Sequence, residues 1–140
     1  MSFSHSRFNK KIEWELIRYS CELNSFIAGG AQKLFKAFIL KYSPSSIISY
    51  CDRRFASFDY NETFYPKLGF KYIGNSQISY KYIDPETNRI YSRMKFQKHK
   101  LEKELKDYDA NLSEADNMKK NGYIRVYDCG NFIFKWNKED

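Results

Sequence analysis

The chain has 140 residues, a formal net charge of +7 and 19% aromatic residues. That length suffices for one domain with its own core, and no apolar run approaches the roughly 20 residues of a membrane span. The opening segment "MSFSHSRFNKK" lacks the apolar stretch of a secretory leader, and Cys21, Cys51 and Cys129 are odd in number without CxxC spacing. A disulfide framework and a cysteine zinc site are therefore not expected, and reduced, mostly buried thiols are.

In chain order, "IEWELIRYSC" places Ile12, Trp14 and Leu16 on one face and Ile17 and Tyr19 on the other, the pattern of a strand covered on both sides. "NSFIAGGAQKLF" sets a glycine pair before an amphipathic helix over Ala31 to Lys41, with Ala31, Leu34, Phe35 and Phe38 on its inner stripe and Gln32, Lys33 and Lys36 facing out. "SSIISYC", introduced by Pro44, reads as a short buried strand, so that strand, crossover helix and second strand form a βαβ unit with parallel neighbours. Asn61 then caps a short helix ended by Gly69, with Pro66 in its first turns. "FKYIG", "SYKYID" and "IYSRMKF" read as strands of a meander, with "DPETNR" as a tight turn. "QKHKLEKELKDY" reads as a helix with Leu101, Leu105 and Tyr108 inward, and Ser113 with Asp116 as a capping box for a helix ended by Asn121 and Gly122. "YIRVYDC-GN-FIFKW" reads as a hairpin with a two-residue loop. The expected fold is α+β: one domain over residues 1–140, with a mixed sheet, a βαβ unit, a C-terminal helix and a β-hairpin.

Charge is uneven along the chain. Residues 1–100 hold 17 Lys and Arg against 8 Asp and Glu, whereas residues 101–140 hold 7 against 9. The densest basic stretch, from Arg89 to Lys106, carries Arg89, Arg93, Lys95, Lys98, His99, Lys100, Lys103 and Lys106, interleaved with Tyr91, Phe96 and Gln97. Cations spaced at one to two helical turns suit phosphates, and exposed rings suit unpaired bases, so RNA or a single strand is the expected partner more than duplex DNA. Glu102 and Glu104 could equally pair with these lysines on a solvated face. Arg53 and Arg54 are a second place for phosphates, although Asp52 beside them also fits a strand-end ion pair. His99 stands among lysines without other metal-ligating residues nearby, so no metal is expected.

The order strand, glycine turn, helix, strand and "FYPKLGF" resembles the acetyl-CoA-binding half of the GNAT acyltransferases over residues 12–74. In that family the turn reads Arg/Gln-x-x-Gly-x-Gly/Ala and its amides cradle the coenzyme pyrophosphate. Phe26, Gly29 and Ala31 occupy those motif positions here, with Gly30 between the last two, and Tyr65 falls where many members keep a tyrosine that protonates the thiolate. The resemblance implies a GNAT-like sheet, with acetyl-CoA as a possible ligand and Tyr65 as catalytic acid only if the chain is an acyltransferase. The two helices and three strands that normally precede this half are missing, and Phe26 replaces a polar residue.

The blocks "SFSHSRFNKKIEWELIRYS", "ISYCDRRF", "FYPKLGFKYIG", "RMKFQKHKL" and "NMKKNGYIRVYDCGNFIFKW" resemble the C-terminal region of homing-endonuclease-like proteins of bacteriophages. That resemblance implies phage origin, the cytoplasm of the bacterial host and association with nucleic-acid machinery, and no nuclease constellation accompanies it. The expectation is a small basic protein that binds RNA or a single strand without catalysis and needs no cofactor. The alternatives are a counter-defence inhibitor of a host nucleoprotein complex, of the anti-CRISPR type, and an acetyl-CoA-dependent acyltransferase.

Overall fold

In the computed structural model, which describes residues 1–138, the strand Ser2–His5 (β1) runs antiparallel to Trp14–Arg18 (β2). Helix Gly30–Tyr42 (α1) carries the chain back, so that Ser46–Asp52 (β3) lies beside β2 and parallel to it, with Glu15 opposite Ile48. Lys71–Asn75 (β4) and Asn131–Asn137 (β8) complete a mixed five-stranded sheet of order β1-β2-β3-β8-β4. A second sheet, β6-β5-β7, is antiparallel and consists of Tyr80–Asp84 (β5), Arg89–Ser92 (β6) and Ile124–Tyr127 (β7). The chain is thus α+β, with the expected parallel pair joined by its crossover helix. Its contacts divide it into two compact units, Met1–Gln77 with the residues from Gly130 onward, and Ile78–Cys129. The sequence suggests a single domain because no change in composition marks this division.

In the first unit α1 lies on one face of the sheet, its stripe burying Phe35 and Phe38 against Leu16, Ile47, Phe70 and Phe134. Leu34, expected on the same stripe, is half exposed at the helix margin. Gly29 adopts φ 68° before the first turn, a left-handed conformation that favours glycine. A Cβ on Gly30 would fall 3.1 Å from the Ile27 side chain and 3.2 Å from the Tyr19 hydroxyl, so backbone packing calls for glycine there too. At the other end of the stripe Phe3 of β1 stacks on Phe38 at 3.6 Å, which recruits the N-terminal residues as an edge strand. Nothing in "SFSH" alone marks that strand.

In the second unit Tyr82, Phe96, Leu101, Leu105 and Met118 form a separate core beneath one face of the three-stranded sheet. The other face carries Ile90, Ile83 and Ile124 in register across the three strands. Two short helices, Leu101–Glu104 (α2) and Glu114–Lys120 (α3), close the unit. Ser113 caps α3 as expected, accepting from the Asp116 amide at 3.2 Å.

Several sequence expectations are corrected. The helix over "QKHKLEKELKDY" is one short turn and α2, because the chain at Leu105 turns extended. Asn117 of α3 and Asn121 just after it then bond the backbone of residues 109 and 107, which removes those groups from any helix. In place of one helix from Asn61 to Gly69 the chain forms two 3-10 turns, Tyr60–Glu62 and Pro66–Leu68, and Asp59 caps the first, accepting from the Asn61 amide at 2.8 Å. The terminal hairpin does not form. Asp128 is tied to Ser79 while Asn131 is tied to Ser76, so β7 and β8 leave Cys129-Gly130 for different sheets. β4 and β5 likewise belong to different sheets instead of one meander. On β2 the second face buries Glu15 and leaves Ile17 partly exposed. None of the three cysteines is in a disulfide, and Cys21 and Cys129 are exposed and Cys51 half-buried, because Cys21 and Cys129 fall in connecting segments.

Phe96 has no exposed surface and packs edge-on against Tyr82 and Tyr91. Phe96→Ala is expected to destabilise the second unit by about 3–5 kcal/mol, the usual range for truncating a buried phenylalanine. Amide hydrogen exchange across residues 78–129 measures this loss directly.

Candidate nucleic-acid interface

The glycine turn and Tyr65 have local structural explanations. Gly30 donates its amide to Ile27 O at 3.0 Å, and the Phe26 side chain is 90% exposed beside the turn. Tyr65 is buried, its ring stacked on Phe134 at 4.6 Å, and burial raises its phenol pKa above the ordinary value. Its hydroxyl faces the core, near Ser49, and not an open surface.

The basic stretch of the second unit is largely engaged within that unit. Lys95 lies over Tyr91 at 4.4 Å and pairs with Glu104 at 3.4 Å. Lys100 Nζ donates to Met94 O at 3.0 Å, and Arg93 lies over Tyr80 at 5.7 Å. Tyr91 is half-buried against Phe96 and Tyr123. Phe96, expected as a stacking ring, is a core residue and offers no face to a base. Arg89, Lys98 and His99 remain exposed. Over the whole sequence, residues 78–129 hold eleven Lys and Arg against nine Asp and Glu, and the remaining residues hold thirteen against eight. Most of the excess positive charge therefore belongs to the first unit.

There the sheet itself builds a site. Parallel pairing of β2 with β3 ends at Leu16 and Ser49, where the Ser49 hydroxyl donates to Leu16 O at 2.8 Å. β2 continues to Arg18 and β3 to Asp52 without further rungs between them. On the face away from α1, Ile17 and Tyr50 then line a concavity of about 300 Å³ whose rim is Arg7 and Phe8. Arg7 reaches Glu15 by Nη2 at 2.7 Å and by Nε and its backbone amide at 3.3 Å. Its guanidinium also lies 5.3 Å over the Phe8 ring, which is 75% exposed.

A second pair repeats the arrangement where β3 ends. Arg54 is fixed by the Asp52 carboxylate, with Nε at 3.0 Å from both oxygens, and its guanidinium lies 5.2 Å over Phe55. Phe55 is 85% exposed and Phe58, three residues on, is fully exposed. Arg53 lies over Phe132 at 5.2 Å. Of the residues singled out in the sequence, Arg53 and Arg54 thus lie in the first unit outside the concavity, and sequence reasoning passed over Arg7, Phe8, Tyr50 and Asn131 of the concavity and Phe55 and Phe58 beside Arg54. The available signal was the Arg-Phe dipeptide, present in "SRFN" and again in "RRFA", each in a polar segment outside any strand or helix period.

Burial alone would push the Glu15 carboxyl up, but the side-chain and backbone bonds from Arg7 outweigh it and hold the group below its ordinary value of 4.5. Tyr50 is shifted upward, first by burial and then by the Glu15 charge, so its hydroxyl stays a donor at neutral pH. Among the described residues no three His, Cys, Asp or Glu side chains gather in a metal-binding group, and no helix is long and apolar enough to cross a membrane.

The ion pair predicts a pH signature. A carboxyl with a lowered native pKa contributes stability above its unfolded value and loses it as pH falls through the native value. In Arg7→Ala burial acts on Glu15 without its partner and raises the carboxyl, so the variant loses stability as pH rises. The gap in denaturation midpoint between the parent protein and Arg7→Ala should therefore widen from pH 3 to pH 7; a constant gap would mean that Glu15 is not governed by Arg7. Compared with known proteins, the chain matches no family model, no curated protein and no solved structure.

Proposed function

We propose that the chain binds single-stranded nucleic acid, RNA or unpaired DNA, through its first unit and without catalysis of its own. The observation that carries this reading is the repeated arginine–phenylalanine pair of the first unit, Arg7 over Phe8 and Arg54 over Phe55. A guanidinium is a forked donor for phosphate oxygens, and an exposed ring is a stacking platform for any base. The carboxylates of Glu15 and Asp52 hold both forks in place, which lowers the ordering cost of binding. The net positive charge of this unit supplies the attraction that brings an anionic strand to the surface.

The scaffold reads as a GNAT-like sheet. Parallel β2 and β3, the crossover by α1 and the glycine turn at its start support that reading. The buried Tyr65 and the exposed Phe26 favour a scaffold over a transferase. The likeness of five sequence blocks to phage homing-endonuclease-like proteins supports a place in the infected bacterial cell.

Fluorescence anisotropy with a labelled 12-nucleotide strand tests the proposal. Phe8→Ala and Phe55→Ala are each expected to weaken binding by about 1–3 kcal/mol without changing the salt dependence. Arg54→Ala is expected to reduce the slope of log affinity against log salt by about 0.7. Alanine at Lys98, Lys103 and Lys106 should leave affinity within about twofold, since these lysines belong to the other unit. Undiminished affinity in the Phe8→Ala, Phe55→Ala double variant would sink the reading.

A further inference from the structure

The concavity where the β2–β3 ladder ends is more than a gap between strands. Ile17 and Tyr50 project into it from β2 and β3 beyond the last rung these two strands share, and Ser76, just after β4, and Asn131 of β8 close it. Phe8 meets Tyr50 at right angles, centroids 6.1 Å apart, so the two rings form a corner and not a stack. An aromatic ligand lying flat on one ring of such a corner presents its edge to the face of the other, the preferred geometry for both contacts.

The polar groups at this site are specific. Asn131 donates its backbone amide to Ser76 Oγ at 2.8 Å and its side-chain Nδ2 to the same oxygen at 3.3 Å, which orients the amide. Among the described residues its Oδ1 accepts no bond, and the Tyr50 hydroxyl makes none. An oriented amide with an open acceptor beside a phenol is suited to the mixed donor and acceptor edge of a nucleobase. A volume near 300 Å³ stands at the lower limit of ligand pockets, roughly 300–1,000 Å³, which suits one base with its sugar better than a whole coenzyme. Arg7 at the rim is 57% exposed at its side chain with one edge bonded to Glu15, so the remaining donors face outward, where the attached phosphate would lie.

We infer that this concavity takes a single unstacked nucleotide of a bound strand, with its base in the Phe8–Tyr50 corner, its edge read by Asn131 and its phosphate on Arg7. The inference deepens the proposed nucleic-acid reading and rests on it. Glu15 is a positioning residue for Arg7, both of its oxygens already being taken by Arg7.

Ile17→Trp fills the concavity from β2 and leaves both arginine–phenylalanine pairs in place; Tyr50→Leu removes the corner without adding bulk, should the tryptophan variant fold poorly. With the 12-nucleotide strand, each is expected to bind about tenfold more weakly at an unchanged salt slope, since stacking and no charge is lost. In parallel, addition of the strand to the parent protein should shift the side-chain amide resonances of Asn131, and Tyr50→Leu should abolish that shift. If both variants bind like the parent and the Asn131 resonances stay still, the nucleotide site is overturned while the surface reading stands. If the parent protein does not bind the strand at all, both fall together.

Discussion

The first unit depends on one constraint: two parallel strands cannot be joined by a tight turn, so the chain between β2 and β3 must cross over, and here it does so through α1. Phe35 and Phe38 make that crossover favourable by burying the helix against Leu16, Ile47 and Phe134. The same crossing requires a left-handed residue and a close approach just before the helix, which Gly29 and Gly30 meet. The ladder also ends two residues before β2 does and three before β3 does, which opens the far face of the sheet. Core, glycine turn and concavity are thus three outcomes of one connection.

Glu15 shows how the open face is used. A carboxylate on an interior strand is costly unless its charge is matched and its oxygens are bonded. Arg7 does both from the segment after β1, and in doing so fixes its own guanidinium beside Phe8. The side chain is therefore a poor apolar replacement candidate in function even where an apolar residue would be tolerated in stability. Arg54 and Asp52 repeat the device two residues apart in sequence, at the surface, where water competes for both partners and the pair adds orientation more than stability.

The βαβ unit is legible in the sequence because its signals are local: an apolar stripe at helical spacing, a glycine pair, and an isoleucine pair soon after a proline. The cap at Ser113 and the stop at Gly122 are legible for the same reason. Pairing partners are not. "CGN" has the chemistry of a tight turn, and Gly130 does take a positive φ, yet which strands meet is decided by Ser76 and Ser79, some fifty residues earlier. Aromatic residues were harder still. With twelve phenylalanines and twelve tyrosines, composition cannot say which rings are core, and Phe96 and Phe55 each stand beside cations. Phe96 falls under a sheet and Phe55 on a loop, a difference set by tertiary packing and not by neighbours in sequence. The Asn117 bonds that hold residue 109 out of a helix come from α3, again from outside the segment itself.

The position of β8 has a consequence for how the chain acquires its shape. This strand sits between β3 and β4, and its partners on β3 lie about eighty residues upstream, so closing that contact carries a large loop-closure entropy and belongs to the slow end of folding. The second unit is contiguous, from Ile78 to Cys129, and all its strand pairs lie within that span. On a ribosome it has everything it needs before β8 is made. Until then β3 and β4 present bare edges, two hydrogen-bonding templates that the strand from Asn131 to Asn137 must reach ahead of another molecule. A chain stopped at Cys129 would hold the second unit whole and the first with its sheet divided.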